Sequence, residues 1–182
     1  MEFRDLIALR RSVRRYDATR KVSRQTILDC LQMTLTAPSA RNSRSTRFLV
    51  VEDADTIARM ADMRDSGTAF MANAPVAIVV MGDAQACDIW DDNCAISATF
   101  MQLACVELGL SSCWVHVKGR PRRKAEPQGQ TAEQYLREML PIPDECSIEC
   151  VIALGYSDFT PAPLPDHDDS GSIMWFTPNH AE

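Results

Sequence analysis

Asp91-Asp92-Asn93-Cys94-Ala95-Ile96-Ser97-Ala98-Thr99-Phe100-Met101-Gln102-Leu103-Ala104-Cys105-Val106-Glu107-Leu108 is the run that decides the fold. Two carboxylates open it where they favour a helix N-terminus, and Gly109 follows where glycine ends one. Cys94, Ala95, Ile96, Ala98, Phe100, Met101, Leu103, Ala104, Cys105, Val106 and Leu108 leave almost no polar face. The run predicts a helix over 91–108 that is apolar, and so buried, all round. It reads equally well as the central core helix of a monomer or as a helix partly covered by a second subunit.

Beyond the helix, Ser112 to Val117 reads as a strand, followed by a basic, turn-rich loop at 118–130. Thr131 with Gln134 makes a capping box for a helix ending near Leu140, which Pro141 and Pro143 break. Ser147 to Gly155 is a last strong strand. Upstream, Asn73-Ala74-Pro75 introduces an apolar strand from Val76 to Met81. Residues 54–64 read as a helix, and Arg47 to Glu52 as a buried strand. Ser23 caps a helix whose apolar stripe is Ile27, Leu28, Leu31 and Leu35, ended by Ala37-Pro38-Ser39. Phe3, Leu6, Ile7 and Leu9 mark a short amphipathic helix at the start. Strands and helices mix without strict alternation, so the fold class is α+β, a sheet of four or more strands flanked by helices. Residues 1–160 form one domain. Residues 161–182 are a tail rich in proline and aspartate, whose Ile173-Met174-Trp175-Phe176 patch is expected to dock on its own domain or on a partner.

The chain of 182 residues carries a net charge of −6, unevenly spread. Lys and Arg outnumber Asp and Glu by eleven to four in the first fifty residues; the remaining 132 hold eight cations against twenty-one acids. The densest cationic stretch is Arg10-Arg11-Ser12-Val13-Arg14-Arg15-Tyr16. Guanidinium forks match phosphate, and Ser12 and Val13 within the run favour a shaped site over a merely solvated patch. Nucleic acid is disfavoured, because the protein is acidic overall and its aromatics are not interleaved with the cations. No apolar run approaches the ~18 residues needed to cross a bilayer, and no signal-peptide pattern opens the chain, which points to a cytoplasmic protein. Seven scattered cysteines read as reduced core thiols, and three dispersed histidines give no zinc site. There is no dinucleotide-fold glycine fingerprint, P-loop or nucleophile elbow. Cys113 and His116, three apart on a strand, face opposite sides and make a poor nucleophile–base pair. Two further polar stretches stand out: Pro38-Ser39-Ala40-Arg41-Asn42 at a helix end, and Gly109-Leu110-Ser111-Ser112-Cys113-Trp114 leading into a strand.

Taken together, R-R-S-V-R at 10–14, A-P-S-A-R-N at 37–42, N-A-P and a strand at 73–80, D-N-C-A-I-S-A-T-F-M-Q-L-A-C-V-E-L-G-L-S-S-C-W at 92–114 and A-L-G-Y at 153–156 resemble the nitroreductase family in order and spacing. The resemblance spans roughly residues 3–156. It implies an FMN-dependent homodimer with a mixed or antiparallel central sheet, two FMN sites at the subunit interface and the long buried helix at the dimer centre. It implies that Arg10, Ser12 and Arg14, with Arg11 adjacent, hold the FMN phosphate, ribityl chain and pyrimidine edge. Pro38, Ser39 and Asn42 are expected to reach the flavin from the other subunit. Trp114 is expected near the ring, and the backbone N–H groups around His116 and Val117 at its reactive nitrogen. The implied activity passes a hydride from NADH or NADPH through FMN to a nitroaromatic, quinone or enone by a ping-pong mechanism. The alternative is a flavin-binding module, sensor or store, without turnover. Two departures from the family pattern stand out. Ser43-Arg44-Ser45-Thr46 replaces the usual Gln-Pro-Trp-type stretch, making Arg44 a candidate for an anionic substrate. The tail at 165–169 is acidic where the family commonly supplies Lys or Arg, so either the 118–124 loop or the N-terminal arginines alone must serve the phosphate.

Overall fold

The computed structural model describes residues 2–163, 168 and 170–176. Four strands, β1 (Thr46–Val51), β2 (Val76–Asp83), β3 (Ser111–His116) and β4 (Cys146–Gly155), form one sheet in the order β1-β2-β4-β3. Every pairing is antiparallel, so of the two expected sheet types the structure has the antiparallel one. β2 and β4 are central and buried on both faces, which is why both read as nearly continuous apolar runs.

Alternation along these strands feeds two cores. Val79, Val115, Val117, Ile148 and Val151 pack with Ile57, Met60, Met71 and Leu136 on one face. These come from α3 (Ala54–Met60), a 3₁₀ segment and α5 (Ala132–Arg137). On the other face Ile78, Val80, Cys150 and Ile152 pack with Ile27, Cys30, Cys94, Ala98, Met101 and Cys105. Those belong to α2 (Arg24–Thr34) and the long α4 (Trp90–Glu107). The described cysteines are free and buried, as core thiols should be.

The local signals act as expected. Ser23 Oγ accepts the Thr26 N–H at 3.0 Å, and Thr131 and Gln134 form the reciprocal capping box. Gly109 ends α4 with φ near +70°, a conformation that favours glycine. Two helices are shorter than predicted: α3 passes into a 3₁₀ turn at Ala61–Met63, and α5 stops at Arg137.

The all-round burial expected of α4 is not met within one chain. Ile96 and Phe100 remain 37% and 36% exposed on one stripe. They are joined by exposed apolar groups of α1 (Phe3–Leu9), a helix with no buried residue, among them Phe3, Ile7 and Leu9. Leu28 and Leu35, expected in the inward stripe of α2, are exposed as well. Ile173, Met174, Trp175 and Phe176 also stand free of their own domain. Of the acidic stretch 165–169, only Asp168 lies within the described residues.

Candidate functional site

The arginine segment is laid along the edge of the sheet. Val13 N–H donates to Ser112 C=O at 3.0 Å, and Ser12 forms a parallel bridge with Ser112. Tyr16 fixes the far end: its hydroxyl lies 2.9 Å from the carbonyls of both Val13 and Ala153. Burial raises the phenol's pKa, so it stays a neutral donor. The backbone is thus clamped, while the guanidinium groups of Arg10 and Arg14 form no ion pair among the described residues. Arg14 lies over the Phe70 ring at 5.9 Å, and Arg11 donates to the Ala162 carbonyl.

β3 supplies the second part. Val117 N–H donates to Glu149 C=O at 3.1 Å. In an antiparallel ladder bonded and non-bonded residues alternate, so Val115 and Cys113 carry the bonds to β4. The N–H and C=O groups of Ser112, Trp114 and His116 therefore point away from β4, out of the open edge. Ser112 C=O meets Val13 there, and His116 C=O accepts from Arg64 at 3.3 Å. The outward amides of Trp114 and His116 thus lie on the same edge as the arginine segment. The Val117 amide is bonded to β4 and its side chain is fully buried. Of the two backbone donors expected near residues 116–117, the edge presents His116.

The third part is the 39–45 loop. Arg41, Asn42 and Arg44 all adopt left-handed backbone, with φ of 52°, 52° and 47°, strained for arginine. Asn93, on the first turn of α4 and 1% exposed, holds the loop. Its side-chain carbonyl accepts Ala40 N–H at 2.8 Å, and its amide lies 2.9 Å from Ser45 Oγ and 3.2 Å from Ser43 Oγ. Ser39 Oγ accepts Arg44 N–H at 3.0 Å, leaving its own proton to donate. Arg41 pairs with Asp88, whereas the Arg44 side chain meets Asn42 Oδ1 at 3.4 Å and forms no ion pair among the described residues. Asn93 was not singled out from sequence, although a polar residue inside an apolar run is a readable signal.

These parts do not meet in one chain. The loop is tied to the N-terminal end of α4 at Asn93, whereas Ser12 is tied to Ser112, just beyond the C-terminal end of α4. From Asn93 to Glu107 the helix alone rises about 20 Å. Ser12 and Arg14 are therefore far from Ser39 and Asn42 of the same chain.

The cations of the 118–124 loop are mostly engaged elsewhere. Lys118 pairs with Asp91, while Arg122 and Arg123 both pair with Asp62. Of the two expected sources of phosphate charge, the loop has three of its five cations in ion pairs, whereas Arg10 and Arg14 have none among the described residues. No group of three His, Cys, Asp or Glu side chains that could hold a metal exists among the described residues, and no described helix is long and apolar enough to cross a membrane.

The Nitroreductase family model matches residues 7–66 and 62–156, which include the arginine segment, the 39–45 loop and β3. The chain belongs to the nitroreductase family. A relative from Archaeoglobus fulgidus is 32% identical over 155 residues, 83% of each chain, and carries the provisional name NADH dehydrogenase/NAD(P)H nitroreductase. A solved structure described as an FMN-dependent nitroreductase from Clostridium difficile matches with a TM-score of 0.86 at 32% identity, covering 94% of this chain and 98% of its own. A nitroreductase-fold structure from Desulfovibrio desulfuricans, determined with FMN, shares the fold at 23% identity and a TM-score of 0.76, covering 96% of each chain.

Proposed function

We propose that the protein is an FMN-dependent oxidoreductase that passes a hydride from NADH or NADPH through FMN to a small acceptor, a nitroaromatic, quinone or enone, in a ping-pong cycle. The site is proposed to form between two copies of the chain. The observation that carries this reading is the single edge along which the segment of Arg10 and Arg14, which form no ion pair among the described residues, runs beside the outward amides of β3. An extended ligand with an anionic end and a flat, hydrogen-bonding end fits that edge; from Ser112 to His116 it runs about 13 Å. The relatives named for FMN and NAD(P)H support the choice of cofactor and donor.

FMN, when bound, supplies the hydride chemistry. This chain's residues supply the rest. Arg10 and Arg14, with Arg11 and Ser12 adjacent, hold the phosphate end through charge-assisted hydrogen bonds. The outward amides of Trp114 and His116 favour negative charge on whatever group they face. Pro38, Ser39 and Asn42 of the partner subunit close the site. Arg44 of the same loop places an unpaired cation at its mouth, which suits an anionic acceptor.

Purified protein is expected to be yellow, with one FMN per chain, and to bleach anaerobically with NADH or NADPH. A yellow protein that neither nicotinamide bleaches is a flavin store rather than an enzyme. Arg10→Ala and Arg14→Ala should each weaken FMN binding by about 1.5–3 kcal/mol, one to two orders of magnitude in Kd by fluorescence titration. Unchanged binding in both variants removes the phosphate assignment.

A further inference from the structure

Glu149 is a buried acid with no partner among the described residues for half of its carboxyl. The register of β2 against β4 passes from Val80–Cys150 to Met81–Ile148, so Glu149 stands opposite no residue of β2. It is the extra residue of a β-bulge, a device that re-aims a side chain. Its carbonyl takes the N–H groups of both Val117 and Lys118 at 3.1 Å, fixing the bulge to the end of β3. The residue is 7% exposed, and Oε2 has no hydrogen-bond partner among the described residues. Oε1 lies 3.6 Å from His116 Nδ1, slightly beyond a hydrogen bond. The His116 side chain is about one-third exposed, and it springs from β3, an outermost strand of the sheet.

We infer that Glu149 is a proton store for this site, discharged through the His116 imidazole. The inference rests on the oxidoreductase reading above. A quinone that gains a hydride becomes a hydroquinone monoanion and needs one proton per hydride to leave as hydroquinone. His116 Nε2–H gives that proton to the product oxygen, Nδ1 takes the proton of Glu149, and Glu149 is left as carboxylate. The pair resets when Nε2 takes a proton from solvent and Nδ1 returns its own to the carboxylate. The imidazole is neutral before and after, and the net change is one proton from water to product.

The surroundings suit a neutral carboxylic acid. Burial raises the pKa of Glu149, and Asp91 and Asp92 at the start of α4 raise it further, while Lys118 opposes them. Lys118 is itself engaged by Asp91. Burial lowers the pKa of His116, as do Arg120, Arg64 and Lys118. Cys94 and Cys150, the other titratable groups coupled to Glu149, have raised pKa values and stay as thiols. A hydrogen bond to the Lys118 backbone opposes the His116 shift, and the net directions are toward a neutral carboxyl beside a neutral imidazole.

Infrared difference spectroscopy of wild type against Glu149→Gln, with and without FMN, tests the store directly. A protonated-carboxyl band present in wild type at pH 7, bleached as pH rises and missing from the variant, is expected. The second reading is the half-reaction of the reduced, FMN-loaded protein with p-benzoquinone, followed by stopped flow across pH. Glu149→Gln and His116→Gln should each slow it tenfold or more and flatten its pH profile, and Glu149→Asp should restore part of the rate. An ionised Glu149 at pH 7 overturns the store, and that titration, read against Glu149→Gln, needs no flavin. A protonated Glu149 with an unchanged quinone half-reaction and profile overturns the relay alone. Failure to bind FMN overturns the oxidoreductase reading and leaves the infrared result standing.

Discussion

At the residue scale, two buried polar side chains carry more of the site's geometry than their positions in the sequence suggest. Asn93 is the one contact that satisfies the backbone N–H of Ala40 while also reaching Ser43 and Ser45. Asn93→Ala should therefore cost about 1–3 kcal/mol by urea unfolding, because it removes the partner of the half-buried Ala40 N–H and of the buried Ser45 hydroxyl. It should also relax the three left-handed residues at 41, 42 and 44. Glu149 gives a pH signature instead. Its pKa is raised on folding, so the native state holds the proton over a range in which the unfolded chain has lost it. Wild-type stability relative to Glu149→Gln should fall as pH climbs above the ordinary carboxylate range and level off above the folded pKa. Parallel urea titrations of the two proteins at a series of pH values check the sign. A buried Asn is visible in sequence only as an oddity in an apolar run. No glycine betrays the left-handed turn at 41–44, and Asn42 alone hints at it.

At the element scale, α4 and the two central strands were legible because continuous burial leaves a continuous apolar run. The caps at Ser23, Thr131 and Gly109 were legible because each satisfies specific backbone groups. The bulge at Glu149 was not, since an extra residue shifts register without changing composition. The resemblance named the amides around His116 and Val117 together, but which of the two faces outward follows only from the pairing of β3 with β4. The early end of α5 reflects the same limit: its cap is local, but its stop depends on packing. Gly155, where β4 meets the start of β3, is the tightest test of this level. A Cβ there would lie 2.5 Å from Pro75 Cδ and 2.6 Å from Cγ, with Tyr16 Cδ1 at 3.4 Å. Gly155→Ala should cost about 1–3 kcal/mol through overpacking, read by thermal or urea unfolding. Because the displaced atoms adjoin the Tyr16 clamp, it should also loosen the arginine segment, seen as weaker FMN binding.

At the scale of the whole molecule, the sequence resemblance paired Arg14 with Ser39, while the fold of one chain sets them at opposite ends of a long helix. Spacing along a chain cannot report that distance; only the packed helix does. Ile96 and Phe100, the apolar groups of α1 and the Trp175 segment are exposed, and the dimer proposed above would bring the two together across such a surface. The separation has a genetic consequence. In the proposed dimer, a lesion in the arginine segment and a lesion in the 39–45 loop would strike different walls of each pocket. When Arg14→Ala and Ser39→Ala chains share a dimer, one pocket collects both lesions and the other collects neither. At FMN concentrations too low to fill either variant alone, the two alleles, co-expressed, should complement, returning up to half of the wild-type FMN occupancy in the mixed dimer isolated by two affinity tags. Two lesions within the same segment should not.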